Sequence, residues 1–198
     1  MIGGGMTEMA VKKVVVAITG ASGAIYGIRL LEVLRACPDV ETHLIISEIA
    51  EKVIVAETSY ELAAVVDLAD YHYNLQEIEA SVASGSYPIF GMVVIPCSMK
   101  TLASIAHGYA NNLITRVADV MLKEKRRLII TPRETPLSQI HLRNMLTAAQ
   151  AGADIVPLMP AFYYHPESID DLINHLVGRV LDQLEVPHSL IRRWGFRY

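Results

Sequence analysis

The 198-residue chain has only two cysteines, Cys37 and Cys97. Two thiols cannot build the disulfide scaffold of a small secreted protein, and a structural zinc site needs more ligands at set spacings. A basic surplus is also missing. The formal net charge is −4, against the positive balance that nucleic-acid binding normally requires. No apolar run reaches the ~20 residues that cross a bilayer, and the opening MIGGGMTEMA is too short and too poor in apolar residues for a signal peptide. These absences point to a cytoplasmic protein with neither a nucleic acid nor a membrane as partner, its residues 1–12 forming a flexible leader. The seven histidines show no H-x-x-x-H spacing, so no metal is expected, and there is no internal repeat or low-complexity tract.

Apolar residues, by contrast, are plentiful. They make up 52% of the chain against 19% charged, more than one core of this size consumes. The excess suits subunit contacts, which predicts a homo-oligomer. With no linker in sight, residues 13–198 read as a single domain.

Short Val/Ile/Leu-rich runs alternate with amphipathic patterns along the whole length. Strands are expected at 14–19, 43–47, 92–95, 128–131 and 155–158, and helices at 24–36, 49–57, 100–107, 113–125, 138–151 and 168–184. Continuous apolar strands separated by helices specify an α/β protein: a parallel sheet covered on both faces, in three α/β/α layers. Ligands of such sheets bind beyond the carboxyl ends of the strands. The distinctive residues of this chain fall there. The first strand exits into Gly20–Gly23, the second into Ser47, the third into Pro96–Thr101, the fourth into Pro132–Pro136 and the fifth into Pro160–Tyr164.

The first exit, TGASGAIYG, places backbone N–H groups and the Ser22 hydroxyl at a helix N-terminus, where a phosphate is favoured. Its glycines do not follow G-x-G-x-x-G. A short-chain dehydrogenase opens with a similar turn, but those enzymes rely on Tyr-x-x-x-Lys, and no tyrosine here has a lysine four residues on. In PCSMKTLASIAHG, Ser98 reads either as a helix cap or, with Lys100 and Thr101, as a donor to a second phosphate or ring edge. PRETP holds Arg133 and Glu134 between two prolines, a rigid placement suited to bidentate capture of phosphate. Lys123–Arg127 reads most simply as a solvated helix end, with Lys123 able to turn inward. Phe162, Tyr163 and Tyr164 read as a lid over a ligand.

Four stretches carry a resemblance to a known family: TGASGAIYGIRLLEVL, SGSYPIFGMVVIPCSMKTLASIAHG, NNLITRVADVMLKEKRRLIITPRETPLSQIHLRNM and MPAFYYHPESIDDLI. Together they resemble the flavin prenyltransferase (UbiX/Pad) family from about Lys13 to Trp194. The resemblance implies a flavodoxin-like or Rossmann-like fold assembled into a dodecamer. It implies metal-independent transfer of a dimethylallyl group from dimethylallyl phosphate to N5 and C6 of reduced FMN, giving prenylated FMN for a UbiD-type decarboxylase. It implies FMN contacts from Gly20, Ala21, Ser22, Ser47, Ser98, Met99, Lys100, Thr101 and Arg133. It places Tyr163 and Arg179 on the prenyl phosphate, with Lys123, Arg116 and Glu134 as its remaining neighbours.

Lys and Arg suit the charge left on phosphate when an allylic C–O bond breaks, and Tyr163 offers an aromatic face to the developing cation. Ser22 and Glu57 are candidates for proton removal at C6, and Glu134 for protonating phosphate. Two departures stand out: some members carry a tryptophan ahead of the SGS segment, where this chain has Glu77–Val82, and Arg127 replaces a usual proline. An FMN-dependent cysteine decarboxylase and a non-catalytic flavin-binding protein are the alternatives the sequence leaves open.

Overall fold

The computed structural model describes residues 11–191. β1 (Lys12–Ile18) leads into α1 (Ala24–Arg35), and β2 (Val40–Ile46) into α2 (Glu48–Glu57) and the short α3 (Leu62–Val66). After β3 (Tyr71–Tyr73) and a 3-10 turn at Ser81–Ala83 come β4 (Gly91–Cys97), α4 (Met99–Ala106) and α5 (Leu113–Lys123). The chain closes with β5 (Arg127–Pro132), α6 (Gln139–Gln150), β6 (Asp154–Ile155) and α7 (Ile169–Gln183).

All pairings are parallel, in the order β3-β2-β1-β4-β5-β6. Every strand therefore points its carboxyl end at one rim. The chain works outward from β1 to β3, then crosses back to β4 and works outward the other way. The gap between the ends of β1 and β4 is thus the switch point where α/β sheets bind ligands.

β1 shows why this sequence makes this sheet. Alternate residues of a strand face opposite sides. Val14, Val16 and Ile18 join one core cluster with Ile28, Leu31 and Leu34 of α1 and Val177, Val180 and Leu181 of α7. Val15 and Ala17 join the other with Met92 and Val94 of β4 and Val117, Val120 and Met121 of α5. Each large side chain fully withdrawn from water contributes about 1.5–3 kcal/mol, which drives helices onto both faces. Gly27 lets α1 approach β4 closely, because a Cβ there would lie 2.6 Å from the Ile95 carbonyl oxygen.

The structure corrects several expectations. Lys12 belongs to β1, paired with Val40, so a leader ending at residue 12 is too long; its first ten residues lie outside the described part. The last strand ends at Ile155, not at Leu158. Val156 and Leu158 still donate to the Ile130 and Pro132 carbonyls, so the chain keeps following β5 past the end of the strand, with Pro157 placed where its missing N–H would face away from the sheet. α3 and β3 have no counterpart in the sequence reading. β3 is three mostly exposed residues, Tyr-His-Tyr, too short to show a period. The basic run is a solvated helix end only through Lys125: Lys123, Glu124 and Lys125 are exposed where α5 ends, whereas Arg126 donates to the Tyr87 and Gly85 carbonyls at 2.7 and 2.6 Å and Arg127 pairs with Glu185 at 2.7 Å.

Candidate functional site

The rim is assembled from three turns. In the first, Gly23 opens α1 with φ 101°, a left-handed conformation natural to glycine. Its N–H donates to Glu57 Oε2 at 2.7 Å, so the last residue of α2 holds the first turn of α1. Gly20 lies against Ile49, and any Cβ there would run into that side chain.

The other two turns use the same device. Ser47 caps α2 by accepting from the Ala50 N–H at 3.2 Å, and Ser98 caps α4 by accepting from the Thr101 N–H at 3.3 Å. Such caps contribute about 1 kcal/mol each. They also aim two helix N-termini, with their partial positive charge, at one space.

Thr19 joins the first and third turns from beneath. It is buried, donates to the Pro96 carbonyl at 2.8 Å and accepts from the Ser98 N–H at 2.8 Å. Arg133, half-buried at the exit of β5, donates through Nε to the Ser22 carbonyl at 3.0 Å. Three strand ends are thereby fixed relative to one another.

Between these turns lies a cavity of about 310 Å³. Gly20, Ser47, Ser98, Lys100 and Thr101 line it, as the sequence reading expects. Apolar walls come from Ile49, Leu75 and Ile114, and further polar groups from Gln76, Asn111 and Asn112. A volume at the lower end of the 300–1,000 Å³ range of small-molecule sites, with apolar sides and two helix N-termini, fits a flat aromatic ring carrying a phosphate. Ala21, Ser22 and Arg133 adjoin this space without lining it. Met99 opens α4 with its side chain packed against the core, so only its backbone is offered.

A second cluster sits on α7. Tyr163 Oη is 3.0 Å from His175 Nε2, and Tyr164 stacks on the same imidazole with centroids 4.6 Å apart. Arg179 follows one turn later, bonded to Asp182 at 3.0 Å. Burial, assisted by Arg179, lowers the His175 pKa from its ordinary value. None of the three aromatic residues lines the cavity. Tyr163 and Tyr164 pack on α7, and Phe162 is 65% exposed.

The remaining expected residues are not brought together within one chain. Arg116 and Lys123 share the outer face of α5, Arg116 paired with Asp119 at 2.9 Å and Lys123 with Glu124. With a rise of ~1.5 Å per residue, Lys123 lies at the opposite end of α5 from Leu113 and Ile114, beside Gly85. Glu134 is exposed and accepts from the Thr135 N–H at 3.1 Å.

Sequence reasoning missed Thr19, Gln76, Asn111, Asn112 and His175. Asn112 had a legible signal: it forms a reciprocal capping box with Thr115 at the start of α5.

The Flavoprotein family model matches residues 5–181. The flavin prenyltransferase UbiX of Salmonella typhimurium is 52% identical over 185 residues, spanning 92% of this chain and 98% of the relative. The chain belongs to the UbiX flavin prenyltransferase family. Two solved UbiX structures agree. The dodecameric FMN-dependent UbiX-like decarboxylase of Escherichia coli O157:H7 superposes with TM-score 0.91 at 52% identity, over 93% of this chain and all of that one. AnUbiX (PadA1), solved with FMN and dimethylallyl pyrophosphate, superposes with TM-score 0.92 at 51% identity, over 94% and 99% of the two chains. The UbiX fold is flavodoxin-like α/β, as expected from the sequence. Membership favours prenyl transfer over cysteine decarboxylation or flavin carriage.

Proposed function

We propose that this chain is a flavin prenyltransferase that moves a dimethylallyl group from dimethylallyl phosphate to reduced FMN. The observation that carries the reading is the meeting of the Gly20 turn with the capped N-termini of α2 and α4 around one cavity. FMN phosphate and ring would be held by Gly20, Ala21, Ser22, Ser47, Ser98, Thr101, the Met99 and Lys100 backbone, and Arg133. The chain from residue 12 onward acts as a single FMN-binding domain. When bound and reduced, FMN supplies the nucleophilic N5 and, next to it, C6.

Tyr163 and Arg179 hold the phosphate of the prenyl donor, with Arg116, Lys123 and Glu134 as its other neighbours. As the allylic C–O bond breaks, its electron pair leaves on phosphate, where fixed cations stabilise it. The Tyr163 ring faces the allylic carbon as it gains positive character. A C–N bond would form at N5 as phosphate leaves; a proton added at C2 of the remaining prenyl double bond would then make C3 electrophilic, so that C6 bonds to it and loses its own proton, restoring the aromatic ring. Glu57, beside Ser22 through the Gly23 N–H, is the base for that proton, and Glu134 protonates the released phosphate. Basic side chains meet the phosphate charge, so no metal enters the scheme.

Lys123, remote from this chain's own rim, serves the site of an adjacent copy. A homo-oligomer, a dodecamer as in the E. coli relative, is thus part of the proposal. The exposed Ile49, Val55, Ile140, Leu146 and Ile169 side chains supply apolar surface for it. The product, prenylated FMN, passes to a UbiD-type decarboxylase, and the cytoplasm is the proposed location. Among the described residues no helix is long and apolar enough to cross a membrane.

Anaerobic incubation with reduced FMN and dimethylallyl phosphate should yield a flavin heavier by one prenyl unit in mass spectrometry. Recovery of unmodified FMN alone would overturn the reading.

A further inference from the structure

We propose that His175 is a positioning residue: it donates from Nε2 to the Tyr163 oxygen and thereby directs the Tyr163 proton toward a phosphate oxygen of the prenyl donor. The inference rests on the reading of Tyr163 as a contact of that phosphate.

His175 is 7% exposed. Its Nε2 is 3.0 Å from Tyr163 Oη, while its Nδ1 is buried with no hydrogen-bond partner among the described residues. Tyr164 lies flat on the ring at an interplanar angle of 9°, and Tyr163 meets it at 82°. The imidazole is thus clamped between two aromatic rings, with one nitrogen used and one orphaned.

That asymmetry selects the tautomer. A neutral imidazole has one N–H. Placed on Nδ1, it would be a buried donor with no acceptor, an arrangement folded proteins avoid more strictly than an unmet lone pair. Placed on Nε2, it is spent on Tyr163, and Nδ1 keeps only a lone pair. The doubly protonated ring would again strand a donor at Nδ1. Burial opposes that form, and so does the Arg179 guanidinium one turn further along α7.

With Nε2–H donating, the Tyr163 oxygen is the acceptor of this bond, and its proton points away from the imidazole. Accepting one hydrogen bond also polarises the O–H and strengthens it as a donor. A phosphate oxygen is the acceptor that such a phenol serves best, through a short charge-assisted bond. His175 and Arg179, four apart on one helix face, then act on the same phosphate, one through Tyr163 and one by charge.

The test uses the full-length, FMN-loaded protein. His175→Phe keeps a ring between the tyrosines and removes both nitrogens; His175→Gln restores an amide donor. Calorimetric titration with dimethylallyl phosphate should show binding weakened roughly five- to twentyfold in His175→Phe, the size of one hydrogen bond. FMN should be retained, His175→Gln should recover part of the loss, and in turnover KM should rise while kcat changes little. In a Tyr163→Phe background the same change should cost nothing further. The ¹⁵N shifts of labelled His175 should place the proton on Nε2. A proton on Nδ1, or an undiminished loss in the Tyr163→Phe background, overturns the proposal. A wild-type protein that binds the prenyl phosphate but makes no prenylated flavin refutes the proposed reaction alone, and these two measurements still decide the role of His175. A wild-type protein that does not bind it refutes both.

Discussion

Arg133 donates through Nε to the Ser22 carbonyl at 3.0 Å, joining the exits of β5 and β1 across 111 positions of sequence. The bond restrains the planar guanidinium and leaves its other N–H groups for further partners.

Arg133→Ala should weaken FMN binding about tenfold, in keeping with loss of an Arg-mediated hydrogen bond near an anion. Arg133→Lys should recover only part of it, since an ammonium restores charge but not the planar fork. Fluorescence titration of FMN measures both, and unchanged affinity in Arg133→Ala would remove Arg133 from the flavin site.

Gly27→Ala should destabilise the fold even though alanine is the better helix former. The propensity gain is at most ~1 kcal/mol. The new Cβ would stand 2.6 Å from the Ile95 carbonyl oxygen and 2.9 Å from Ile18, and overpacking costs about 1–3 kcal/mol. A fall in the urea midpoint at unchanged slope is the expected result.

Lys123→Ala should lower turnover about 10²–10³-fold, as expected for one lost transition-state charge contact, while FMN stays bound. Because Lys123 and Arg133 lie at opposite ends of one chain, co-assembly of Lys123→Ala with Arg133→Ala subunits should restore part of the activity. Mixed oligomers as inactive as their parents would place both residues in the same copy's site.

Acid should destabilise the protein from about pH 6.5 downward, before its carboxylates titrate. His43 is fully buried, and burial lowers its pKa, against the opposing pull of Glu41 and Asp70 and with that of Lys13. Tyr71, Tyr73 and Tyr87 enclose the ring. Above the unfolded-state value, near 6.5, both states are neutral and stability is level. Below it the unfolded chain takes a proton that the folded chain refuses, so stability falls by up to ~1.4 kcal/mol per pH unit until the folded value is reached. His175, also lowered, adds in the same direction. Urea midpoints between pH 5 and 8 should show the decline, shallower in His43→Phe.

What the sequence could convey divides along physical lines. β1 and β4 were legible because strands buried on both faces must be apolar throughout, and α1 because its apolar residues recur at helical spacing. Ser47 and Ser98 were legible because a serine ahead of an amphipathic run is a helix start. β3 was not legible, since an exposed edge of three residues owes its strand form to its register with β2. Nor was His175. It lies on an apolar helix face where histidine is ordinarily structural, and only the fold-back of Tyr163, in the loop that leads into α7, gives its two nitrogens different fates. Lys123 shows the reverse: residue type fits the chemistry, while its place on α5 is remote from this chain's own rim.

The strand order carries a consequence for how the protein is made. β1 has its final neighbours β2 and β4, yet β4 begins only at Gly91. On a ribosome adding roughly 5–20 residues per second, the strand that ends in the Gly20 turn waits several seconds with one edge unpaired. That edge is Val14–Ala17, the segment that later pairs with Gly91–Val94, an apolar stretch open to other chains meanwhile. Rapid synthesis through residues 18–97, or a chaperone holding β1, should therefore govern the yield of native protein more than any residue of the finished rim.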